Sequence, residues 1–275
     1  MFEKSKSALL GVMMLAGVSA PAAAADLYEP QVVPAPVVAQ PVETNGWYIR
    51  GDVDYHWSSL RGTHYITYGP PPGTASFTST DLSGAWSLGT GVGYKINRYL
   101  RTDLTLDYFF KSKFRGSTSG TCGGAPCVSV DHGGYSAWLL LANAYVDLGT
   151  YHGITPYIGA GIGGAHINWD DLHNTIGGVT TIHGGVGSWR FAYAFMAGAS
   201  YCLTHNLDLD LGYRYTRVSN GKMFQYAPVA GPGFDRGMNI HEVRAGLRYN
   251  FGGNDSNGCG EQIAYQPPEP APVYK

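Results

Sequence analysis

A glycine-rich segment in the middle of the chain is the first candidate for chemistry. Residues 159–164 read Gly-Ala-Gly-Ile-Gly-Gly and fit the G-x-G-x-x-G pattern of dinucleotide-binding loops. That pattern holds a pyrophosphate only where it leads from a strand into the N-terminus of a helix. Here the glycines alternate within a single strand-like segment, so no cofactor is expected. We expect them instead to make room for large arginine and tyrosine side chains on neighbouring strands.

Histidines are the second candidate, because they can serve acid–base catalysis or bind metals. His241 could serve a lipid-modifying enzyme, but no serine stands on the same predicted face of a neighbouring strand to act as nucleophile. His166, His173 and His183 could bind haem or a metal, although scattered loop histidines usually bind nothing. No catalytic residue, cofactor or metal is therefore predicted, and the chain is expected not to be an enzyme.

The composition indicates the kind of element that positions these residues. Charged residues make up only 14% of the chain, while glycine occurs 39 times and tyrosine 20 times. The formal net charge of −2 gives no electrostatic basis for binding nucleic acid. Beyond the N-terminus no apolar stretch is long enough for a membrane-spanning helix, so an all-β chain is favoured.

The N-terminus carries the pattern of a secretory signal peptide. Lys4 and Lys6 precede an apolar run at 8–18 and small residues ending at Ala25, after which cleavage is expected. Proline-rich tracts then flank the folded part of the chain, and such tracts stay extended. The sequence therefore predicts a signal peptide at 1–25, a proline-rich linker at 26–45, a folded domain at 46–251 and a proline-rich tail at 252–275.

Strict alternation of apolar and polar residues predicts the β-strands of the folded domain. Between Trp47 and Trp57, large apolar side chains alternate with polar ones such as Arg50, Asp52 and Asp54. The same pattern recurs in segments of about 10 to 14 residues, the length that a tilted strand needs to cross a bilayer. Eight strands are predicted, at 47–57, 85–96, 100–111, 135–148, 155–166, 189–201, 207–215 and 240–251.

The connections between these segments alternate in length. Short links at 97–99, 149–153 and 203–206 alternate with long ones at 59–82, 112–134, 167–188 and 216–238. Short periplasmic turns and long external loops give this pattern in an eight-stranded antiparallel up-and-down transmembrane β-barrel. Residues 46–251 are therefore predicted to form an outer-membrane β-barrel, with the linker at 26–45 and the tail at 252–275 in the periplasm. In that topology, outward aromatic residues gather in two belts at the headgroup levels. The periplasmic belt is Trp47, Tyr94, Tyr201, Tyr249 and Phe251, and the external belt is Trp57, Trp86, Phe110, Trp138, Phe191 and Tyr215.

The inward faces collect charges of both signs. An eight-stranded barrel is just wide enough for side chains to fill, and buried charges must be paired. We therefore expect a lumen plugged by salt bridges, with a narrow ion path as the alternative. The basic set is Arg50, Lys95, Arg101, Lys111, Arg190, Arg214, Arg244 and Arg248, and the acidic set is Asp52, Asp54, Asp103, Asp107, Asp147, Asp208, Asp210 and Glu242.

Four cysteines in an exported chain suggest disulfides before metals. Cys122 and Cys127 lie in one external connection, separated by the turn-forming Gly-Gly-Ala-Pro, and are predicted to pair. Cys202 and Cys259 fall on the periplasmic side and form the second predicted pair. A zinc site with Cys122, Cys127 and His132 is an alternative, although its spacing is not a zinc pattern.

Several segments together resemble the small outer-membrane β-barrel family related to opacity proteins and to the OmpA transmembrane domain, especially its short porin-like alphaproteobacterial members. The likeness rests on residues 46–52, 155–163, 207–215 and the last strand. Within that strand, Val243, Leu247, Tyr249 and Phe251 resemble the signal read by the barrel assembly machinery, although 24 residues follow it here.

The resemblance predicts a fold better than it predicts a function. The expected role, in the cell outer membrane, is structural support of the envelope or surface interaction. A small diffusion porin and a loop-based adhesin or ligand-binding barrel are the alternatives. Expected partners are outer-membrane lipid, the assembly machinery with periplasmic chaperones during biogenesis, and host or phage surface ligands.

Overall fold

A computed structural model shows an all-β chain and describes residues 45–68, 71–226 and 230–251. In chain order the strands are β1 (Gly46–Leu60), β2 (Thr63–Thr67), β3 (Gly73–Ala75), β4 (Ser79–Leu82), β5 (Ala85–Lys95), β6 (Leu100–Ser117), β7 (Ser119–Cys122), β8 (Ala125–Val128), β9 (Val130–Asp147), β10 (Ile154–Trp169), β11 (Leu172–Ile176), β12 (Val179–Gly185), β13 (Gly187–Thr204), β14 (Leu207–Val218), β15 (Gly221–Gln225), β16 (Ala230–Asp235) and β17 (Met238–Asn250).

Eight of these strands form a closed antiparallel barrel, as predicted. Around the wall the order is β1, β5, β6, β9, β10, β13, β14 and β17, and β17 pairs with β1 to complete the ring. The closing register places Asp52 opposite Gly246. Three connections at one end are short, and all the long ones lie at the other end. Among the described residues, no helix is long and apolar enough to cross a membrane.

The alternation in sequence becomes an alternation in burial. Along β1, the side chains of Arg50, Asp52 and Asp54 are buried while Trp47 and Ile49 are exposed. Every aromatic residue assigned to the two belts is exposed or half-buried on the outer surface. Neighbouring rings in a belt touch, as Trp47 and Tyr94 do at 5.3 Å. The apolar face of the barrel therefore points outward and its polar face inward.

A β-bulge in β6 corrects one prediction about the lumen. The register of β6 against β9 shifts between Phe109 and Ser112, so Phe110 and Lys111 both point outward. The Lys111 side chain is 64% exposed and pairs with Asp170 at 2.8 Å. Lys111 was predicted to face inward because simple alternation cannot locate a bulge, which inserts one extra residue into a strand.

The long connections are more ordered than the loops expected from the sequence. Strands β2, β3, β4, β11, β12, β15 and β16 pair with one another and with the upper ends of β6 and β9. This set of strands, here called the external extension, continues the barrel wall beyond the aromatic belt. Its interior is aromatic and includes Tyr65, Phe77, Phe114, Phe224 and Tyr226. The β7–β8 hairpin pairs separately.

Several predictions fall outside the described residues. The signal peptide at 1–25, nearly all of the linker at 26–45, the tail at 252–275 and Cys259 belong to this group. These segment boundaries and the Cys202–Cys259 pair stay predictions.

Candidate functional site

The centre of the lumen is organised around Arg214 on β14. Its guanidinium donates to both oxygens of Glu242, with Nε 2.6 Å from Oε2 and Nη2 2.7 Å from Oε1. Nη1 reaches Asp107 at 2.9 Å. Asp107 lies on β6, diametrically opposite β14 in the ring of eight strands. One arginine therefore spans the lumen, and its side chain has no exposed surface.

Arg244 and Arg50 extend this network toward the periplasmic end. Arg244 Nη2 lies 3.1 Å from Asp52 and 3.4 Å from Asp107, and its Nε donates to Asp54 at 3.2 Å. Arg50 pairs with Asp52 at 2.7 Å and with Asp103 on β6 at 3.3 Å. Each carboxylate thus serves more than one strand, and the pairs form a connected layer across the barrel.

A second layer surrounds Arg101 nearer the short turns. Arg101 Nε donates to Asp147 at 3.0 Å, and Nη1 lies 3.9 Å from Asp210 on the opposite wall. The rings of Tyr145 and Tyr157 lie 4.4 and 4.6 Å from the guanidinium carbon, so both rings make cation–π contacts with Arg101. Arg248 completes the layer by pairing with Asp208 at 2.9 Å and with Asp210 at 3.4 Å.

Hydrogen bonds from neutral side chains supplement the ion pairs of the lumen. Eight buried carboxylic acids face only five buried arginines in these two layers. Asn143 donates to Asp103 at 2.7 Å and Asn250 to Asp208 at 2.9 Å, while Ser200 donates to Asp210 at 2.5 Å. Such bonds stabilise a buried carboxylate that lacks a full cationic partner.

The lumen becomes apolar toward the external end. Above the arginine layers lie His56, stacked on Phe109 at 4.7 Å, and Tyr135, whose hydroxyl is 2.5 Å from Ser58 Oγ. Beyond them the inward side chains are mainly apolar, although the Arg190–Asp235 pair is also buried there. The apolar ones are Ile167, Trp169, Ala192, Val218, Met238 and Ile240. Two regions of different chemistry therefore fill the barrel in series.

The remaining predicted charges lie apart from these layers. Arg190 pairs at 2.5 Å with Asp235, which belongs to the external extension and was not among the predicted acids. Lys95 is half-buried at the turn end of β5. The predicted Cys122–Cys127 disulfide is present in the β7–β8 hairpin, where Gly123 and Gly124 adopt positive φ angles of 59° and 89°.

The glycines of β10 and the histidines have structural surroundings. A Cβ on Gly159 would lie 3.0 Å from Tyr145 Cε1, so this glycine makes room for an inward tyrosine as expected. His241 is bonded to the Tyr213 hydroxyl and stacks on Trp57 at 5.8 Å. His173 is exposed on β11, whereas His183 is buried on β12. Within the described ranges, no group of three or more His, Cys, Asp or Glu side chains could hold a metal ion.

Burial shifts the pKa of titratable groups inside the external extension. Desolvation raises the pKa of the Asp131 carboxyl above its ordinary value, although Ser129 and Asn174 donate hydrogen bonds to it. Desolvation lowers the pKa of the His183 imidazole, which packs 4.7 Å from the Tyr226 ring, while nearby Asp131 acts in the opposite direction. Both groups therefore favour their neutral forms relative to water.

Comparison with known families places this architecture. The model of the outer membrane protein beta-barrel domain matches residues 10–251. The chain belongs to this family of outer-membrane barrels. The protein is accordingly an outer-membrane β-barrel located in the cell outer membrane.

This outer-membrane barrel has several relatives. An uncharacterised protein of Brucella abortus is 41% identical over 276 residues, which cover 86% of this chain and 95% of the relative. A protein of Rickettsia canadensis named "Putative adhesin" is 29% identical over 140 residues, covering 50% of this chain and 59% of that protein.

Solved barrel structures are also similar to it. Neisserial surface protein A has 20% sequence identity and a TM-score of 0.44, covering 76% of this chain and 100% of that chain. The outer membrane protein OprG from Pseudomonas aeruginosa has 13% identity and a TM-score of 0.45, covering 75% and 97%.

Sequence reasoning missed the neutral partners of the lumen charges. Tyr145, Tyr157 and Asn143 contact Arg101 or Asp103, yet nothing in the sequence ties them to residues on other strands. The one available signal was the alternation along each strand, which places these side chains on the inward face. It marked them as lumen residues but gave no partner.

Proposed function

We propose that this protein is a non-enzymatic outer-membrane barrel whose lumen is plugged, and that it acts in envelope structure or at the cell surface. The observation that carries the proposal is the burial of the lumen side chains. A continuous water-filled path would expose the groups that line it. Instead Arg101, Asp54, Asp107, Arg214 and Glu242 have relative exposures of 0%.

The connected ion pairs explain why such a plug resists opening. Removing one partner of a buried pair leaves an uncompensated charge and costs about 3–5 kcal/mol. Arg214 and Arg101 each join opposite walls, so a pore through the centre would have to break several pairs together. The apolar region above them adds a second barrier, because ions do not cross dry apolar constrictions readily.

Single-channel conductance in a planar bilayer tests this proposal. The refolded protein is first checked for the gel mobility shift on heating that folded barrels show, and a sixteen-stranded porin serves as the positive control. We expect no stable conductance steps from the folded barrel under conditions where the porin conducts. Reproducible steps that scale with salt concentration would instead support a small diffusion porin.

Surface interaction is the second candidate function, and the external extension favours it. Val179 and Ile182 on β12 of the extension expose 70% and 59% of their surface, while Val128 on β8 and Val130 on β9 expose 63% and 53%. Exposed apolar side chains on a rigid scaffold are typical of binding surfaces. The Rickettsia canadensis relative, whose similarity covers 50% of this chain, is named as a putative adhesin.

Adhesion of bacteria to a matrix-coated surface tests this second candidate. The variant Val179→Ser/Ile182→Ser removes two apolar side chains from β12. The control, Leu148→Ser/Leu203→Ser, also removes two exposed apolar side chains, but from the end of the barrel with the short turns. Loss of adhesion in the first variant alone would support a ligand-binding extension. Equal adhesion of cells with and without the protein would argue for a purely structural role.

A further inference from the structure

A recess on the outer surface lies at the external aromatic belt. It has a volume of about 190 Å³ and is lined by Phe191, Tyr193, Arg217, Ser219, Asn220 and Arg236. Its position follows from the strand register. Arg217 on β14 lies opposite Asn239 and Tyr193, and the next row toward the membrane contains Tyr215, His241 and Phe195. The recess therefore begins one row above the Tyr215 ring and includes Phe191, another residue of the external belt.

Arg217 is held in a fixed position at the base of this recess. Its Nη1 donates to Asn239 Oδ1 at 2.9 Å, and its Nη2 donates to the Arg236 carbonyl oxygen at 3.2 Å. Asn239 Oδ1 also accepts a bond from the Tyr215 hydroxyl at 3.0 Å. Gly237 passes so close that a Cβ there would lie 2.8 Å from Arg217 Nη2. A guanidinium that is already held in this way loses little further conformational freedom when it binds a ligand.

The two arginines of the recess lack an acidic partner. Throughout the described ranges, no carboxylate oxygen lies within 4.0 Å of a side-chain nitrogen of Arg217 or Arg236. Asp235, the neighbour of Arg236 in sequence, turns inward to pair with Arg190 at 2.5 Å. Both arginines line the recess without a carboxylate partner, so an anion bound there would be attracted by both charges.

The surroundings indicate what kind of anion this is. Phe191 and Tyr193 expose 59% and 37% of their surfaces at the recess, and Phe195 exposes 58% in the row below. A free inorganic anion would gain nothing from this apolar surface. A lipid whose charged headgroup sits above its acyl chains would contact both the arginines and the rings.

We propose that this recess binds the phosphorylated headgroup of an outer-leaflet glycolipid of the lipid A type. The phosphate accepts hydrogen bonds from Arg217 and Arg236, because guanidinium and phosphate match in geometry. The sugar lies against Phe191 and Tyr193, and the acyl chains follow the barrel wall past Phe195. The barrel would then hold a defined lipid at one side of its rim.

Titration of the refolded barrel with lipid A in detergent, followed by native mass spectrometry, tests the proposal. The test variant is Arg217→Gln/Arg236→Gln. The control, Arg98→Gln/Lys222→Gln, also removes two exposed positive charges but from other parts of the surface. We expect the test variant to bind bisphosphorylated lipid A at least about tenfold more weakly than the unmodified barrel does, and the control to bind it as tightly as the unmodified barrel does. Folding of each variant is checked by its mobility shift on heating.

Three further comparisons make the result decisive. Dephosphorylated lipid A should bind the unmodified barrel as weakly as bisphosphorylated lipid A binds the test variant. Arg217→Lys/Arg236→Lys, which keeps charge but loses the planar fork, should give intermediate affinity. Equal loss in the test and control variants, equal binding of both lipid forms, or inorganic phosphate binding as tightly as lipid A would each overturn the assignment.

Discussion

At the scale of single residues, the lumen arginines act as cross-links between walls. Arg214 on β14 reaches Asp107 on the opposite strand β6, and Arg101 on β6 reaches back toward Asp210 on β14. The backbone hydrogen bonds of a barrel connect only neighbouring strands. These side chains therefore supply contacts that the ladder cannot make, and they link strands that are far apart in sequence.

Replacing Arg214 with alanine should strongly destabilise the barrel. Asp107 and Glu242 would lose their shortest cationic contact while staying buried, which costs about 3–5 kcal/mol. The midpoint of urea unfolding in lipid vesicles measures the change. Lys113→Ala, an exposed site on β6, should leave the midpoint unchanged. Adding Asp107→Asn and Glu242→Gln to Arg214→Ala should restore part of the loss, and no restoration would contradict the electrostatic cause.

Adjacent positions on β10 offer a second test at this scale. Gly159→Val would place a branched side chain against the Tyr145 ring, and overpacking of this kind costs about 1–3 kcal/mol. Ala160→Val on the lipid-facing side has no such neighbour to displace and should be close to neutral. Unfolding midpoints of the two variants, measured in the same vesicles, make the comparison. Equal midpoints would show that the lumen is loosely packed beside Tyr145.

At the scale of elements, the sequence predicted the barrel strands better than the external extension. The barrel strands alternate large apolar and polar residues because one face meets lipid, as in β1 and β17. The extension has no lipid on its outer face, so β4 and β11 carry Ser, Thr, Asp and Asn without that period. Their pairing depends on an aromatic core assembled from distant segments.

The same limit applied to the lumen. The alternation along β1 correctly predicted that Arg50, Asp52 and Asp54 face the lumen. The bulge at Phe109–Ser112 broke this alternation in β6 for Lys111. Partner choice across the lumen depends on the tilt and closure of the whole ring, so no local pattern contains it.

The stability that neutral His183 gives the extension should be lost as the pH falls. The pKa of His183 in the folded state lies below the ordinary value of 6.5. As the pH falls below about 6.5, His183 therefore binds a proton more readily in the opened extension than in the folded one, and the folded extension loses stability. Deuterium uptake by β11 and β12, compared at each pH with His183→Gln, measures this loss and cancels intrinsic exchange rates. His173→Gln, at an exposed site on β11, should behave like the unmodified protein. Identical pH profiles for the unmodified protein and His183→Gln would contradict the prediction.

At the scale of the whole molecule, two fillings occupy the barrel in series. The lower one is built from barrel strands alone, with Arg50, Arg101 and Arg244 paired to acids on neighbouring and opposite walls. The upper one is apolar and shares its aromatic core with the external extension. Ring closure through β17 and β1 involves no strand of the extension. The barrel and its lower filling should therefore survive changes to the extension.

Removing two hairpins of the external extension tests whether the arginine layers alone block the passage of ions through the lumen. A variant that replaces Leu172–Gly185 and Gly221–Asp235 with short glycine–serine links deletes β11, β12, β15 and β16 while leaving the barrel pairings in place. We expect it to keep the mobility shift on heating and to stay silent in a planar bilayer, because the arginine layers still span the lumen. A folded trimmed barrel that conducts would show that the extension is the seal and that the ion pairs line a path. The charges of the lumen would then set its ion selectivity, and substitution of Asp107 or Arg214 would change that selectivity.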